Sequence, residues 1–372
     1  MFLRNNYLTR FFLFIFFLTG LNSCYVARYV GWNFADINDS EKFPADSIAA
    51  SSHPVTFSKA KNMGLIGNEV YSFTEGLSLS VFLENHQTAA FLIIRDDTLV
   101  YEQYFGKYGR ESVFPSFSIA KSFVSALVGI ALSEGKFRSL EQPITDFLPE
   151  LKDTLFRHVT LLNLLEMRSG IRFSESYGNP FGLTAKFYYG LNLKKYTLSL
   201  TMEELPGVRY NYQSANTELL AIALERATGT SLSEYLQEQI WDPMGAGFPA
   251  TWSVDSRRHR QIKAFCCING RSEDFARFGQ LYLDNGMVNG DTVIPLSWIK
   301  ESLTLRNDSK DSQGYPYTYH WRVTQEGDFF AKGILGQYLY VSPSKRVVIY
   351  RAGKKSDRVI WPQFFRDLIG RL

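Results

Sequence analysis

The stretch FPSFSIAKSFVSALVGIALSEGK, Phe114 to Lys136, restricts the fold more than any other part of this chain. Ile119, Phe123, Val124, Leu127, Ile130, Ala131 and Leu132 cover most of the circumference of a helix, and Gly135 is a natural stop. A helix with so little polar surface predicts an interior position, wrapped by other elements. The chain can supply the wrapping: its 372 residues are 45% hydrophobic, 15% aromatic and 21% charged, the composition of a globular protein with an aromatic-rich core. No Pro/Gly/Ser-rich linker or charge block divides the middle, which predicts one unit with two lobes. A formal net charge of +3, with Lys and Arg scattered, forms no basic stripe, so nucleic acid is not an expected partner.

The N-terminus reads separately. Arg4 and Arg10 precede or border the apolar run FFLFIFFLTGL, which leads into LNSC, Leu21 to Cys24. The run is short for a bilayer span, and a basic start before a short apolar core is the layout of a secretory signal. LNSC looks like a lipobox, although Asn22 is a less usual choice. Residues 1–24 are therefore expected to be a lipoprotein signal peptide, with diacylglycerol on Cys24 anchoring the protein in the cell envelope, facing the periplasm. An ordinary signal peptide cut elsewhere, or an uncleaved anchor, is the other reading. The remaining cysteines, Cys266 and Cys267, are adjacent, too close for ordinary disulfide geometry, so the expectation is an unbridged, buried pair. No CxxC, HExxH or paired-histidine spacing marks a metal site, and no cofactor is expected.

Residues 25–60 are polar and aperiodic and read as an arm; 61–372 read as the folded body. Ala90–Gly106 reads as a β-hairpin turning at Asp96-Asp97. Residues 146–265 are mainly helical in pattern, forming one lobe, whereas 61–145 and 266–372 form the other. In the latter, YTYHWRV, DFFAKGI, QYLYVSP and RVVIYRAG read as successive strands and PQFFRDLIGRL as a closing helix. Strands at both ends with helices between them predict an α/β (α+β) fold: one antiparallel sheet flanked by helices, with an inserted helical lobe.

Five Ser-x-x-Lys spacings occur, starting at Ser58, Ser118, Ser133, Ser297 and Ser342, so spacing alone discriminates little. Ser118 differs in context. It opens the interior helix, where unpaired N–H groups favour negative charge, and Lys121 falls on the same helix face one turn on. Burial disfavours the charged form of an amine, which suits a lysine in such a place to accepting a proton. From this stretch alone an N-cap serine with a snorkelling lysine is an equal alternative.

Together with PGVRYNYQSANTELLAIALERATG and FFAKGILGQYLYVSPSKRVVIYR, the stretch SFSIAK resembles, in order and spacing, the three motifs of the serine β-lactamase and penicillin-recognising family. The similarity is to its class C-related branch, and within that to 6-aminohexanoate-dimer hydrolases and related carboxylesterases. It covers residues 60 to 372, with ITDFLPEL, VTLLNLLEMRSGI and IWDPMGA as supporting phrases. The resemblance implies a β-lactamase/transpeptidase-like fold, with Ser118 as nucleophile, Lys121 as its base and Tyr212 as proton relay. It also implies that Ser214, Gly333 and Ile334 line the substrate and oxyanion site, and that the substrate is a small ester, amide or peptide. Tyr188 and Tyr189 are further candidates for the acyl pocket. Two departures stand out. Ser214 replaces a more frequent asparagine, and Ala331 stands where Lys-Thr-Gly relatives keep a cation; Lys332 beside it should point to the opposite face of the strand. Both argue for the esterase and amidase branch over β-lactam hydrolysis. The competing reading is an inactive envelope lipoprotein that binds peptidoglycan fragments or a protein. A Ser-His-Asp hydrolase finds no Gly-x-Ser-x-Gly elbow to support it.

Overall fold

The two ends of the chain meet in one eight-stranded sheet. It belongs to a computed structural model that describes residues 25–372 except Asn33 and Gly64; the expected signal segment and Cys24 lie outside the described residues. Thr88–Arg95 and Thr98–Tyr104 form the expected hairpin, turned by Asp96 and Asp97 at φ 47° and 58°. Such positive values let a two-residue turn follow the twist of its strands. From the other end, Tyr317–Thr318, Trp321–Val323, Phe329–Gly333, Gln337–Ser342 and Val347–Gly353 run antiparallel in succession, and the last pairs with Thr88–Arg95. Ser58–Lys59 adds a short parallel edge beside Thr98–Tyr104.

Side-chain alternation along these strands feeds two cores. Phe91, Ile93, Tyr338, Tyr340, Val347 and Ile349 pack with Phe364 and Phe365 of the closing helix Trp361–Ile369, and with Phe82 of the helix Leu79–Asn85. Their neighbours Ala90, Leu92, Ile94, Leu339, Val341, Val348 and Tyr350 belong to the larger core that holds the interior helix. Between sheet and interior helix lies Ser272–Leu283, where a Cβ on Gly279 would come within 2.8 Å of Leu339 and Val348. The interior helix is Ala120–Ser133, and every residue from Ala120 to Ala131 is buried, as its all-round apolar pattern requires. Phe123 stacks on Phe278 with ring centroids 3.6 Å apart.

Two expectations need correction. The segment 25–60 is built into the body: Tyr25–Trp32 is a helix, and Ala45–Ile48 pairs with Ala250–Ser253 in a second, four-stranded sheet with Ile268–Arg271 and Val113–Pro115. Its buried anchors, Ile37, Phe43 and Ile48, are too widely spaced to register as a period. Cys266 and Cys267 are joined in a disulfide across a Cα–Cα distance of 3.7 Å. Ordinary disulfides span longer Cα separations, but the chain turns sharply here, with Cys267 at φ 75°.

Candidate active site

Phe117–Ile119 form a single 3₁₀ turn, and the regular helix begins at Ala120, so Ser118 stands at the mouth of the interior helix. The turn is entered through Phe117 at φ 42°, a conformation that a phenylalanine rarely adopts and that the surrounding structure must hold in place. Ser116 supplies part of that hold. Its backbone N–H donates to the Ile268 carbonyl at 2.7 Å, and its Oγ accepts from the Ile268 N–H at 3.1 Å.

One turn on, Lys121 is 1% exposed. Its Nζ lies 3.0 Å from Ser118 Oγ, 2.7 Å from the Phe265 carbonyl and 3.4 Å from Ser214 Oγ. Ser214 is the first residue of the helix Ser214–Thr228, and Phe265 directly precedes the cysteine pair. Tyr212, two residues before Ser214, places its ring centroid 5.1 Å from Lys121 Nζ and packs edge-on against Tyr317. Three segments far apart in sequence thus converge on one buried amine.

A cavity of about 280 Å³ opens over Ser118, lined also by Tyr212, Gly333 and Ile334. Gly333 ends its strand against the serine turn: a Cβ there would come within 2.8 Å of the Ser116 carbonyl oxygen. Beyond it, Leu335 and Gly336 turn the chain at φ 62° and 85°. The Gly336 carbonyl accepts from Arg351 Nη1 at 2.7 Å. Arg351 is wholly buried, bonded also to the His86 carbonyl and Thr88 Oγ1 and stacked 3.6 Å over Trp361. Burial pushes its guanidinium down to about 9. A smaller recess beside Ser118 is walled by Ser214, Phe265, Cys266 and Tyr188. Tyr189 instead turns into an aromatic cluster with Tyr29, Trp32 and Phe43.

Glu175, Gln313 and Arg322 are among the polar side chains of the cavity that were not foreseen, and Lys332 lines it as well. The position of Lys332 corrects the expectation that it points away from the site. Ala331 packs in the larger core, and Lys332 does leave by the opposite face, but the strand ends one residue later and the cavity wraps round that end. Lys332 Nζ donates to Gln313 Oε1 at 2.8 Å. Burial lowers the pKa of Lys332, and the nearby Arg322 charge adds to this. Burial is the largest single influence on Arg322 and opposes its charge, but Asp311, whose Oδ2 accepts from Arg322 Nε at 2.6 Å, together with Tyr212, Tyr317 and Tyr210 outweighs it and raises the guanidinium pKa. Glu175 sits opposite in irregular chain, where neither periodicity nor motif marks it. Its carboxylate accepts from Ser214 Oγ at 2.6 Å and from the Ser214 N–H at 2.8 Å. Among the described residues no group of three or more His, Cys, Asp or Glu could hold a metal ion.

The chain is similar to known proteins. A family model described as Beta-lactamase matches residues 81–357. The 6-aminohexanoate-dimer hydrolase of Paenarthrobacter ureafaciens is 28% identical over 299 residues, 74% of each chain. A solved structure from Bacillus anthracis, assigned as a 6-aminohexanoate-dimer hydrolase, superposes with a TM-score of 0.76 at 22% identity, covering 92% of this chain and 94% of that one. A class C beta-lactamase superposes at 0.59 with 16% identity over 78% and 93% of the two chains. The fold is β-lactamase/transpeptidase-like, and since the family match spans the serine turn, the Ser214 helix and the Gly333 strand, the chain belongs to the Beta-lactamase family.

Proposed function

We propose that this protein is a serine hydrolase that cleaves a small ester or amide, linear peptides included, through an acyl-enzyme on Ser118. The observation that carries the reading is the buried Lys121 amine, 3.0 Å from Ser118 Oγ at the floor of an open cavity. Lys121 takes the hydroxyl proton as Oγ attacks the carbonyl. The backbone N–H groups of Ser118 and Ile334 receive the oxyanion, and Gly333 lets the substrate lie close to the strand. Tyr212 passes a proton to the leaving group and then helps activate water for deacylation. One relative is named a 6-aminohexanoate-dimer hydrolase, which supports this bond class. Ser214 in place of an amide still argues against β-lactams; the missing cation at Ala331 no longer does, because Lys332 brings one to the cavity wall.

The test is labelling of the purified protein with a fluorophosphonate, alongside p-nitrophenyl ester turnover. Labelling and turnover should both vanish in Ser118→Ala. Labelling that persists in that variant removes Ser118 as nucleophile, and a wild type that neither labels nor turns over ester leaves only a binding role.

We also propose that the protein is exported and anchored through a lipid on Cys24; the LNSC stretch supports this, and a disulfide at Cys266–Cys267 suits an oxidising compartment. Metabolic labelling with a fatty-acid analogue should mark wild type and spare Cys24→Ala. Equal labelling of both ends the lipoprotein reading.

A further inference from the structure

Proton accounting around Lys121 singles out a residue that the proposed mechanism does not use. The Ser214 hydroxyl has one proton, and it is committed to Glu175, whose Oε1 lies 2.6 Å away while Oε2 accepts the Ser214 N–H at 2.8 Å. Glu175 Oε1 also accepts from Tyr177 OH at 2.9 Å, so the carboxylate is held by three donors. Toward Lys121, 3.4 Å away, Ser214 Oγ therefore presents only lone pairs. The Phe265 carbonyl, 2.7 Å from Nζ, is likewise an acceptor only. A neutral amine has two N–H bonds and one lone pair. With both N–H bonds drawn to Ser214 Oγ and the Phe265 carbonyl, the lone pair is left facing Ser118 Oγ at 3.0 Å. Once protonated, the ammonium finds three acceptors in the same three atoms, and no side chain needs to move.

We infer that Glu175 is a positioning residue for the lysine base: by fixing the polarity of the Ser214 hydroxyl, its carboxylate aims the Lys121 lone pair at Ser118. The inference rests on the proposed function. In the step it serves, the Ser118 O–H bond breaks as the Oγ–carbonyl carbon bond forms. The proton ends on Nζ and the carbonyl π pair on the oxygen. With an amide at position 175, an NH₂ group can face Ser214 Oγ; the hydroxyl then donates to Lys121 and occupies the lone pair meant for Ser118. Ser214 is 3% exposed, so no competing solvent restores the original polarity.

The experiment compares Ser118 acylation rates by a fluorophosphonate, with kcat and KM for p-nitrophenyl acetate, in wild type, Glu175→Gln, Glu175→Asp, Ser214→Ala and Glu175→Gln/Ser214→Ala. Glu175→Gln should lower acylation and kcat by roughly 10- to 100-fold, the scale of a misaimed catalytic group, with KM changed by less than about threefold. Glu175→Asp, which keeps an acceptor-only carboxylate, should recover part of the loss. The double variant should be no slower than Ser214→Ala, because Glu175 acts through that hydroxyl. A Glu175→Gln rate equal to wild type, an Asp variant no better than Gln, or losses that multiply in the double variant would each overturn the inference and leave the proposed function standing. A wild type without Ser118-dependent labelling removes the proposed function, and this inference falls with it.

Discussion

His320 lies behind the site, wholly buried, and its ring is wedged between the Ser214 helix and the strand edge. Its Nε2 is 3.2 Å from Thr217 Oγ1 and its Nδ1 3.4 Å from Tyr317 OH, while its carbonyl accepts from Ser122 Oγ of the interior helix at 2.9 Å. Burial pushes the imidazole from 6.5 down to about 3. The sign follows from linkage. Above pH 6.5 neither folded nor unfolded chain binds this proton, and the stability contribution is whole. As pH falls, the unfolded chain takes up the proton and the folded one refuses it until about 3, so stability drains away across that window. Between pH 7 and 4.5 this amounts to about 2.5 kcal/mol, a figure that hardly changes for any folded-state value below 4. Urea unfolding followed by tryptophan fluorescence, at both pH values, measures it in wild type and in His320→Gln, which can bond Thr217 and Tyr317 but does not titrate. Carboxylates contribute to the pH dependence of both proteins, so the difference between the two slopes isolates the histidine. The variant should lose about 2.5 kcal/mol less than wild type over this interval. An equal loss in both would refute the argument that His320 is held neutral.

Lys121→Ala and Tyr212→Phe should each remove most p-nitrophenyl ester turnover, about 100-fold or more, while near-UV circular dichroism stays native; a wild-type rate in either strikes that residue from the mechanism. Gly333→Ala places a methyl 2.8 Å from the Ser116 carbonyl oxygen, so kcat should fall by about tenfold or more as serine turn and strand are pushed apart; unchanged kinetics would mean that the strand is not a wall of the reacting site. Gly129→Ala puts a Cβ 2.2 Å from the buried Trp298 ring and should cost about 1–3 kcal/mol in urea unfolding, with activity per folded molecule retained. Burial raises the Asp274 carboxyl from 3.8 to about 7, although Oδ1 accepts the Gly247 N–H at 2.8 Å. Its contribution is whole below 3.8 and is lost as pH rises toward 7. Asp274→Asn should therefore gain on wild type by about 2–3 kcal/mol more at pH 8 than at pH 5, and a gap independent of pH would contradict this.

Much of the frame was legible because periodicity and turn chemistry are local. The hairpin at Asp96-Asp97, the last three strand phrases and the closing helix each carry their own pattern and formed as read, whereas YTYHWRV, read as one strand, turns back at Tyr319 and His320, φ 33° and 67°, into two short antiparallel strands. The first strand of the second sheet, Ala45–Ile48, carries none. Its pattern of burial is set by Ala250–Ser253, two hundred residues away, and no window on the sequence contains both. Of the site, Ser118, Lys121, Tyr212, Ser214, Gly333 and Ile334 could be picked out through three short phrases, and the structure gathers all six at one place. Glu175 could not. It sits in irregular chain, and its meaning comes entirely from a hydroxyl 39 residues further on. Lys332 was seen and misplaced, because alternation tells which face of a strand a side chain leaves by and says nothing about a cavity that wraps the strand's end.

The apolar circumference of the Ala120–Ser133 helix was decided by composition and spacing alone: a helix with no polar face must be interior, and a serine at its mouth with a lysine one turn on must share its edge. What the sequence could not decide is which groups surround that lysine. Its three neighbours come from the turn at 118, the helix at 214 and the loop at 265, and the hydroxyl of one of them, Ser214, is turned toward a fourth group, Glu175. Helical stacking is a property of neighbours along the chain; a proton's direction is a property of neighbours in space.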